Sequence, residues 1–346
     1  MDILQKSFDD ALRELANFAT SEDDLDKLAD AIPAQIEALL AKLPDEILST
    51  IKGGAANGLE ERRIRHAEFV DRNISRWMEA FDILELHIEI AIEAGESFNK
   101  RLRPEAASNG NLLFDLLVRL HAKGCLVSKE ILTLLKNGYA DGAHARWRAL
   151  HEISVTAMFF ANHGNNAARR YLDHEFVENY NGASQLNKYQ SRINESGFSD
   201  EELAQFKDRY DAVIDKYGKE FKSQYGWAKP FLLKGNASFF ALEEAVNLDH
   251  WRPYYKWASQ NVHANVKTIR NSLGLCEAVS GLLQVGPSNS GMTDPAHSTA
   301  ISLTQLTCTL LSSSLNLDGI VMMKILLALS DEVGNPFATC SKKKTI

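Results

Sequence analysis

The sequence lacks the short motifs that mark the common nucleotide-binding and hydrolytic folds. None of the patterns GxGxxG, GxxxxGK[ST], HExxH or GxSxG occurs in its 346 residues. Dinucleotide-binding, P-loop, zinc-protease and α/β-hydrolase chemistry are therefore unsupported. A carboxylate-bridged di-iron bundle is unsupported as well, because it needs an ExxH pair on each of two helices and the chain has none.

Cysteine is scarce, and no secretory or membrane-spanning pattern is present. The four cysteines lie far apart without a CxxC, which predicts reduced thiols and no disulfide framework or structural zinc. The first residues are acidic where a signal peptide is basic and then apolar. The uncharged stretch 299–317 is rich in Ser and Thr, which favours a buried or interface helix over a membrane span. We expect a cytoplasmic protein that does not enter the membrane.

Proline is also scarce, and alternating β-branched runs are missing. The apolar residues recur with a helical period, and the eight prolines fall between the periodic segments. Hydrophobic residues make up 45% of the chain, enough for a real core. The net charge of −8 argues against a surface that tracks nucleic acid throughout. The predicted fold is all-α, a multi-helix bundle with a long-helix N-terminal segment.

The positions of glycine, proline and polar runs predict four segments. Residues 1–103 form an N-terminal helical segment with a sensing or dimerisation role. Residues 104–110 (PEAASNG, which follows Arg103) form a linker. Residues 111–333 form a helical bundle with the candidate site, and 334–346 a flexible tail. A loop at 53–58 precedes a long helix over 59–102. That helix and the uncharged stretch 299–317 offer more apolar surface than a small bundle needs, so we expect a homodimer.

The most unusual stretch is 144–164, HARWRALHEISVTAMFFANHG, which begins polar and becomes almost wholly apolar. At 100° per residue, one sector of this helix holds four polar side chains: His144, Arg148, His151 and Glu152. Because apolar side chains cover the opposite side, we expect a buried helix whose polar sector looks into protein or a pocket. Two interpretations stay open. Either Arg148 and Glu152 form an internal ion pair that fixes helix register, or the cluster is a ligand or catalytic site.

Two further stretches carry candidate residues. In a predicted helix over 254–283, Tyr255 and Ser259 share one face with His263 beside them. His263 is either a core histidine or a general acid or base that works with Arg148 as the anion-binding group. In RRYLDHE (169–175), Arg170 and His174 are four apart on a more amphipathic helix, for which a solvated face is expected. We predict no metal and no other cofactor, although a set of His144, Glu152 and His263 is left open.

Two families are similar to these stretches. RALHEISVTAMFFANHG, RRYLDHE and YKWASQNVHA together resemble an uncharacterised family of bacterial all-helical proteins over about 111–280. That family has an arginine-to-glutamate helix motif and a later Tyr…Ser…Val-His motif, and the resemblance implies an all-helical fold without naming a chemistry. The spacing of Arg146 to His151, and of Arg169 to His174, is similar to the HEPN superfamily of helical ribonucleases and toxins. It implies metal-independent RNA cleavage, in which arginine holds phosphate and histidine assists the ribose 2′-OH.

Two functions follow as hypotheses. The first is a metal-independent ribonuclease-like toxin or phage-defence effector, in which Arg148 or Arg146 holds phosphate, His151 or His263 transfers the proton, and Glu152 orients them. The second is a non-catalytic helical interaction or ligand-sensing protein. The partners expected are RNA or a small anionic ligand, a second copy, or a protein of a defence or toxin–antitoxin operon. The residues expected to assist binding are His144, Arg146, His174, Tyr255 and Ser259.

Overall fold

The structure is a computed structural model that describes residues 3–232, 235–263, 265–278 and 281–342. These residues form eleven α-helices and four short 3-10 turns, and they contain no β-strand, which confirms the all-α prediction. The helices are α1 (Ile3–Phe18), α2 (Glu22–Ser108), α3 (Leu112–Lys136), α4 (Ala140–Asp173), α5 (Glu175–Ile193), α6 (Asp200–Tyr217), α7 (Phe239–Ala245), α8 (Arg252–Gln260), α9 (Val266–Arg270), α10 (Thr293–Ser312) and α11 (Leu317–Lys342).

The chain divides into two compact units, residues 1–69 and 70–346. The sequence placed a linker at 104–110, but α2 runs through Pro104 to Ser108. The side chain of Asn111 then caps α3 by accepting a hydrogen bond from the Phe114 N–H at 3.1 Å. The segment 104–110 is therefore the last turn of one helix and a tight connection to the next, and the sensing or dimerisation role of 1–103 stays a prediction.

The first unit contains α1 and the first part of α2, and none of residues 4–69 is buried. The loop predicted at 53–58 is wrong, because α2 is helical through this stretch. This part of α2 contains Pro33 and Pro44 as well as three glycines, Gly53, Gly54 and Gly58. In a helix interior these residues are unfavourable by roughly 3 kcal/mol per proline and 1 kcal/mol per glycine relative to alanine. Helix propensity alone does not hold this segment together.

The second unit is built around α10. This helix packs on α3, α4 and α11, and most of its side chains are buried. The uncharged stretch 299–317 is thus chiefly a core helix, and its threonines bond inside the protein: Thr299 Oγ1 donates to the Pro295 carbonyl at 2.6 Å and Thr307 Oγ1 to Leu303 at 2.8 Å. Within the described residues, no helix is long and apolar enough to cross a membrane.

A seam of buried histidines crosses this core. His87 Nε2 lies 2.7 Å from Thr304 Oγ1, and His121 Nε2 lies 3.0 Å from Thr307 Oγ1. Both rings are nearly inaccessible to solvent. Burial disfavours the charged imidazolium and lowers the pKa of each histidine to about 4. The core therefore holds these rings in the neutral form.

The ends of several helices follow from local chemistry. Ser199 and Glu202 form a capping box at the start of α6, where the sequence reads Ser-Asp-Glu-Glu. Gly164 adopts φ 67° inside α4 and bends the helix, a conformation that costs other residues strain. The predicted tail is helical to Lys342, with residues 343–346 outside the described chain.

The single helix predicted over 254–283 is wrong. The chain instead forms α8, a turn, α9 and a 3-10 turn, with residues 264, 279 and 280 outside the described chain. Asp141 at the start of α4 accepts hydrogen bonds from the Leu273 N–H at 2.9 Å and the Gly274 N–H at 3.2 Å. These bonds hold the backbone after α9 against α4, where a continued helix would carry it away.

Candidate functional site

The polar sector of α4 faces α7 and α8, which pack against it. Helix α7 begins at the cap Ser238, whose hydroxyl accepts from the Ala241 N–H at 3.2 Å. Helix α8 begins with Arg252 and Pro253, a residue suited to a first helical turn because its missing N–H has no partner there in any case. Both short helices thereby point side chains at His151 and Glu152, and two linked polar groups result.

The first group is His151, Glu243 and Arg252. His151 Nε2 lies 3.0 Å from Glu243 Oε1, and the two side chains are 1% and 0% exposed. The other carboxylate oxygen of Glu243 forms an ion pair with the Arg252 guanidinium. A fully buried carboxylate requires such a partner, because desolvating an unpaired charge costs several kcal/mol. This group ties α4, α7 and α8 together and keeps the His151 ring away from solvent.

The second group is Arg148, Glu152 and Tyr255. The Arg148 guanidinium lies 3.0 Å from Glu152 Oε1, which is the ion pair that the four-residue spacing predicts. The Tyr255 hydroxyl donates to the same carboxylate oxygen at 2.5 Å. The side chains of Arg148 and Glu152 are 28% and 35% exposed, so this group reaches the surface.

Tyr255 joins the two groups. The guanidinium carbons of Arg148 and Arg252 each lie 5.0 Å from the centre of its ring, within cation–π range. Burial, and then the Glu152 carboxylate, raise the pKa of Tyr255. Burial, with Glu152 as the next cause, raises the pKa of Tyr225 to about 12. Both hydroxyls therefore stay protonated at neutral pH, and Tyr255 remains a donor to Glu152.

His144 lies one turn before Arg148 and is completely buried. Its ring stacks on Trp147 at 5.6 Å and meets the Trp257 ring edge-on at 5.1 Å. Neither ring nitrogen has a hydrogen-bond partner within the described residues. Burial lowers the pKa of His144 to about 4, although the nearby Asp141 carboxylate opposes this shift. His144 is thus a neutral aromatic spacer between two tryptophans.

Arg146 lies outside both groups. Its guanidinium forms an ion pair with Glu130 on α3, so it points away from His151, as the helical wheel predicts. In the stretch 169–175, Arg169 is exposed but Arg170 is half-buried and His174 is buried, which corrects the expectation that Arg170 and His174 lie on a solvated face. His174 Nε2 bonds the Ser223 carbonyl at 3.0 Å, and Arg170 donates to the Trp227 carbonyl at 2.9 Å. The loop at 221–228 folds back over this helix, and its backbone carbonyls bond the polar atoms of both side chains.

His263 is not part of the cluster in the described chain. It lies in the exposed turn after α8, and no hydrogen bond or ring contact joins it to Arg148, His151 or Glu152 among the residues described. The expectation that it points inward is wrong, because α8 ends at Gln260, before His263 could be carried along the helix face. Ser259 bonds its own helix, donating to the Tyr255 carbonyl at 2.7 Å.

Glu243, Arg252 and Tyr225 belong to the site but were not predicted from the sequence. A signal for Glu243 exists in FFALEEAV: Phe239, Leu242 and Val246 mark the apolar face of a helix, and Glu243 falls on that face. A carboxylate in such a position needs a buried partner. Tyr225 lies in an aromatic-rich turn and Arg252 lies at a helix start, and neither position carries a comparable signal.

The described side chains do not assemble a metal site. Within that part of the chain, no three His, Cys, Asp or Glu side chains are grouped closely enough to hold an ion. The set His144, Glu152 and His263, left open by the sequence, is separated: one ring lies between tryptophans, the carboxylate binds Arg148, and the third residue is in an exposed turn.

The arrangement balances its own charge. Two guanidinium groups face two carboxylates, and the tyrosines and the buried His144 add no charge at neutral pH. The residue best suited to proton transfer, His151, is closed off, while Arg148 and Glu152 are accessible but already paired. Such a cluster fixes the positions of α7 and α8 strongly, and it leaves little unbalanced charge for a substrate.

Comparison with known proteins agrees with the coarser of the two resemblances. Residues 114–279 match the model of a family of unknown function, DUF5677. This range includes α4, α7 and α8, and therefore both polar groups of the site. No curated protein and no solved structure shows a significant match to the chain.

Proposed function

We propose that the protein is a non-catalytic protein-interaction module whose contact surface is the aromatic face of α7 and α8. The observation that carries the proposal is the combination of this exposed face with the buried polar cluster beneath it. The charged groups of the cluster pair with one another and so hold the two helices in place. A rigid, aromatic surface is what a protein-binding site requires.

The proposed contact surface combines three exposed aromatic side chains, Phe240 on α7 and Tyr254 and Trp257 on α8. Each of these side chains is 38–43% exposed, although large aromatic rings are usually well buried. Tyr254 and Trp257 are three residues apart on α8 and so share a face, and Phe240 lies against the Arg252 guanidinium at 4.8 Å. Tyr and Trp dominate the binding energy of protein interfaces because they bury large areas at low entropic cost.

The charge around this face supports a protein partner over RNA. Exposed Glu244, Asp249 and Lys256 carry charges of both signs, and the Arg252 guanidinium is already paired with Glu243. A sequence-independent RNA surface combines aromatic platforms with a clearly basic groove. The face has the aromatic rings but not the excess of positive charge.

A metal-independent ribonuclease is the second candidate, and one observation favours it. The Arg148 side chain is 28% exposed, so the outer part of its guanidinium reaches the surface, whereas its Nε atom is buried without a hydrogen-bond partner among the described residues. Arg148 could therefore accept a phosphate, with Glu152 as the only accessible proton acceptor of the cluster. His151 would need to leave Glu243 before it could reach a substrate.

The test of the proposal uses a photo-crosslinking amino acid placed at Tyr254 and, separately, at the control position Tyr189 on α5, which is also exposed. We expect a protein partner to crosslink in the living host from Tyr254 and not from Tyr189. The purified partner should then bind the purified chain, with affinity at least tenfold weaker for Tyr254→Ser and Phe240→Ser, and within about twofold for Tyr189→Ser. Equal crosslinking from both positions, or binding unaffected by the first two substitutions, would overturn the proposal.

The ribonuclease candidate is tested in parallel by incubating the purified chain with total RNA in EDTA. We expect no cleavage. Cleavage that is lost in Arg148→Ala and retained in Arg146→Ala, with both variants folded by circular dichroism, would replace the interaction proposal by the nuclease. Arg146 is the matched control because it pairs with Glu130 outside the cluster.

A further inference from the structure

The N-terminal arm, defined as α1 with residues 22–69 of α2, has a regular apolar stripe, and none of its residues from 4 onward is buried. The stripe on α2 contains Leu25, Leu28, Ile32, Ile36, Leu39, Leu43 and Ile47. The spacings of three, four and four residues repeat after eleven, which is the period of long helices that pack with a right-handed supercoil. Twelve Leu, Ile and Phe side chains of the arm are 37–81% exposed.

Helix α1 covers only part of this stripe. It lies along α2 with a groove of about 490 Å³ between the two helices, lined by Leu4 and Phe8 from α1 and by Ile36, Leu39 and Leu43 among others from α2. Two helices enclose too little volume to bury their apolar faces, whereas two such hairpins together form a four-helix bundle with an interior. The prolines and glycines of this part of α2 add to the need for outside support, since they weaken the helix by themselves.

We propose that the arm pairs with the arm of a second copy of this chain, antiparallel, with its centre between Leu43 and Ile47. In this register Leu43 lies opposite Ile47 of the second copy, and Leu39 lies opposite Ile51. Ile36 meets the small residues at 53–56, where the absence of large side chains leaves room for it. This inference does not depend on the proposed function, because it uses a different unit of the chain.

Charge complementarity selects a second copy in this orientation. The start of α2, EDDLD at 22–26, contains four acidic residues and no basic one. Antiparallel pairing about the same centre places this run opposite residues 64–68 of the second copy, which contain Arg65 and Glu68 and lie within one helical turn of Arg62 and Arg63. Parallel pairing would instead place the two acidic runs against each other, which costs free energy.

The exposed apolar area is of the right size for a stable pair. A fully buried Leu or Ile removes on the order of 100 Å² from water, so ten half-exposed side chains, leaving out Leu48 and Leu59 on the opposite face of α2, offer roughly 500 Å² per copy. A stable interface buries about 800 Å² per partner, including the stems of neighbouring polar side chains. The arm therefore provides most of a dimer interface by its apolar residues alone.

The first test measures the mass of the full chain by analytical ultracentrifugation. We expect a dimer for the wild type and a monomer for the double variant Leu39→Glu, Leu43→Glu. The control Ala38→Glu, Ala41→Glu adds the same charge on the opposite face of α2, and it should remain dimeric. A wild-type monomer at 50 μM or so, or a dimer that survives the Leu39 and Leu43 substitutions, would overturn the proposal. Near-UV circular dichroism of the second unit confirms that each variant is folded.

The second test addresses the orientation with surface charges only, so that folding is not at risk. One variant carries Glu22→Lys, Asp23→Lys, Asp24→Lys and Asp26→Lys, and another carries Arg62→Glu, Arg63→Glu and Arg65→Glu. Each variant alone should dissociate at least tenfold more readily than the wild type, and the mixture of the two should form a heterodimer of about wild-type stability. Failure of the mixture to pair, with both variants folded, would exclude the antiparallel register.

Discussion

Replacing His144 by phenylalanine should make the protein less sensitive to acid. His144 is buried between Trp147 and Trp257, its ring nitrogens are unpaired within the described chain, and its pKa is lowered to about 4. An unfolded histidine titrates near 6.5. Between these two pH values His144 is protonated in the unfolded chain but neutral in the folded protein. The free energy of unfolding therefore rises with pH in this window. The stability that depends on a neutral His144 is fully present above about pH 6.5 and is lost as the pH falls toward 4.

The magnitude follows from the two pKa values. At pH 5 one such histidine lowers the stability by about 2 kcal/mol relative to pH 8, and His87 and His121 add similar amounts. The three together remove roughly 6 kcal/mol, which is comparable with the entire stability of an ordinary domain. The local slope should approach 4 kcal/mol per pH unit for the wild type and should fall by about a third in His144→Phe.

The assay is urea unfolding followed by tryptophan fluorescence at several values between pH 5 and pH 8. We expect His144→Phe to be within about 1 kcal/mol of the wild type at pH 8, because it removes two unsatisfied polar atoms and adds a slightly larger ring. At pH 5 it should be more stable than the wild type by about 2 kcal/mol. A His144→Phe slope equal to that of the wild type would refute the reasoning, since His144 would then titrate equally in both states.

Two further predictions concern the packing that positions the site. Glu243→Ala should destabilise the second unit by about 3–5 kcal/mol, because it leaves Arg252 unpaired beside aromatic rings. The control Glu244→Ala changes an exposed residue and should alter stability by less than about 0.5 kcal/mol. Thermal unfolding of the two variants checks this, and equal effects would contradict a structural role for the buried Glu243–Arg252 ion pair. Gly124→Ala should cost about 1–3 kcal/mol, since its new methyl group would lie 2.2 Å from Leu306, and Gly182→Ala, in open space within α5, should stabilise by about 0.5–1 kcal/mol. Urea midpoints measure both, and a Gly124→Ala variant as stable as the wild type would contradict the close packing of α3 against Leu306 of α10.

Much of the local structure could be predicted from the sequence, because it depends on neighbours within one helix. The all-α fold, the capping box at Ser199 and the Arg148–Glu152 pair each need only a few consecutive residues. Prediction from local signals failed at two places, and tertiary context explains the second. The glycines at 53–58 lie within a helix, and the segment after α8 breaks into short turns because Asp141 binds its backbone.

The candidate site itself needed the tertiary structure. From the sequence alone, the polar sector of α4 was visible, but its interpretation depended on which groups would meet it. Glu243 lies 92 residues from His151 along the chain, and Tyr255 lies 103 residues from Glu152. No spacing rule connects side chains at such separations, since their meeting depends on how whole helices pack. The sequence alone therefore determined that α4 carries polar residues on a face surrounded by apolar ones. Only the fold decided that a carboxylate and an arginine from α7 and α8 neutralise that face, and that His263 lies apart from it.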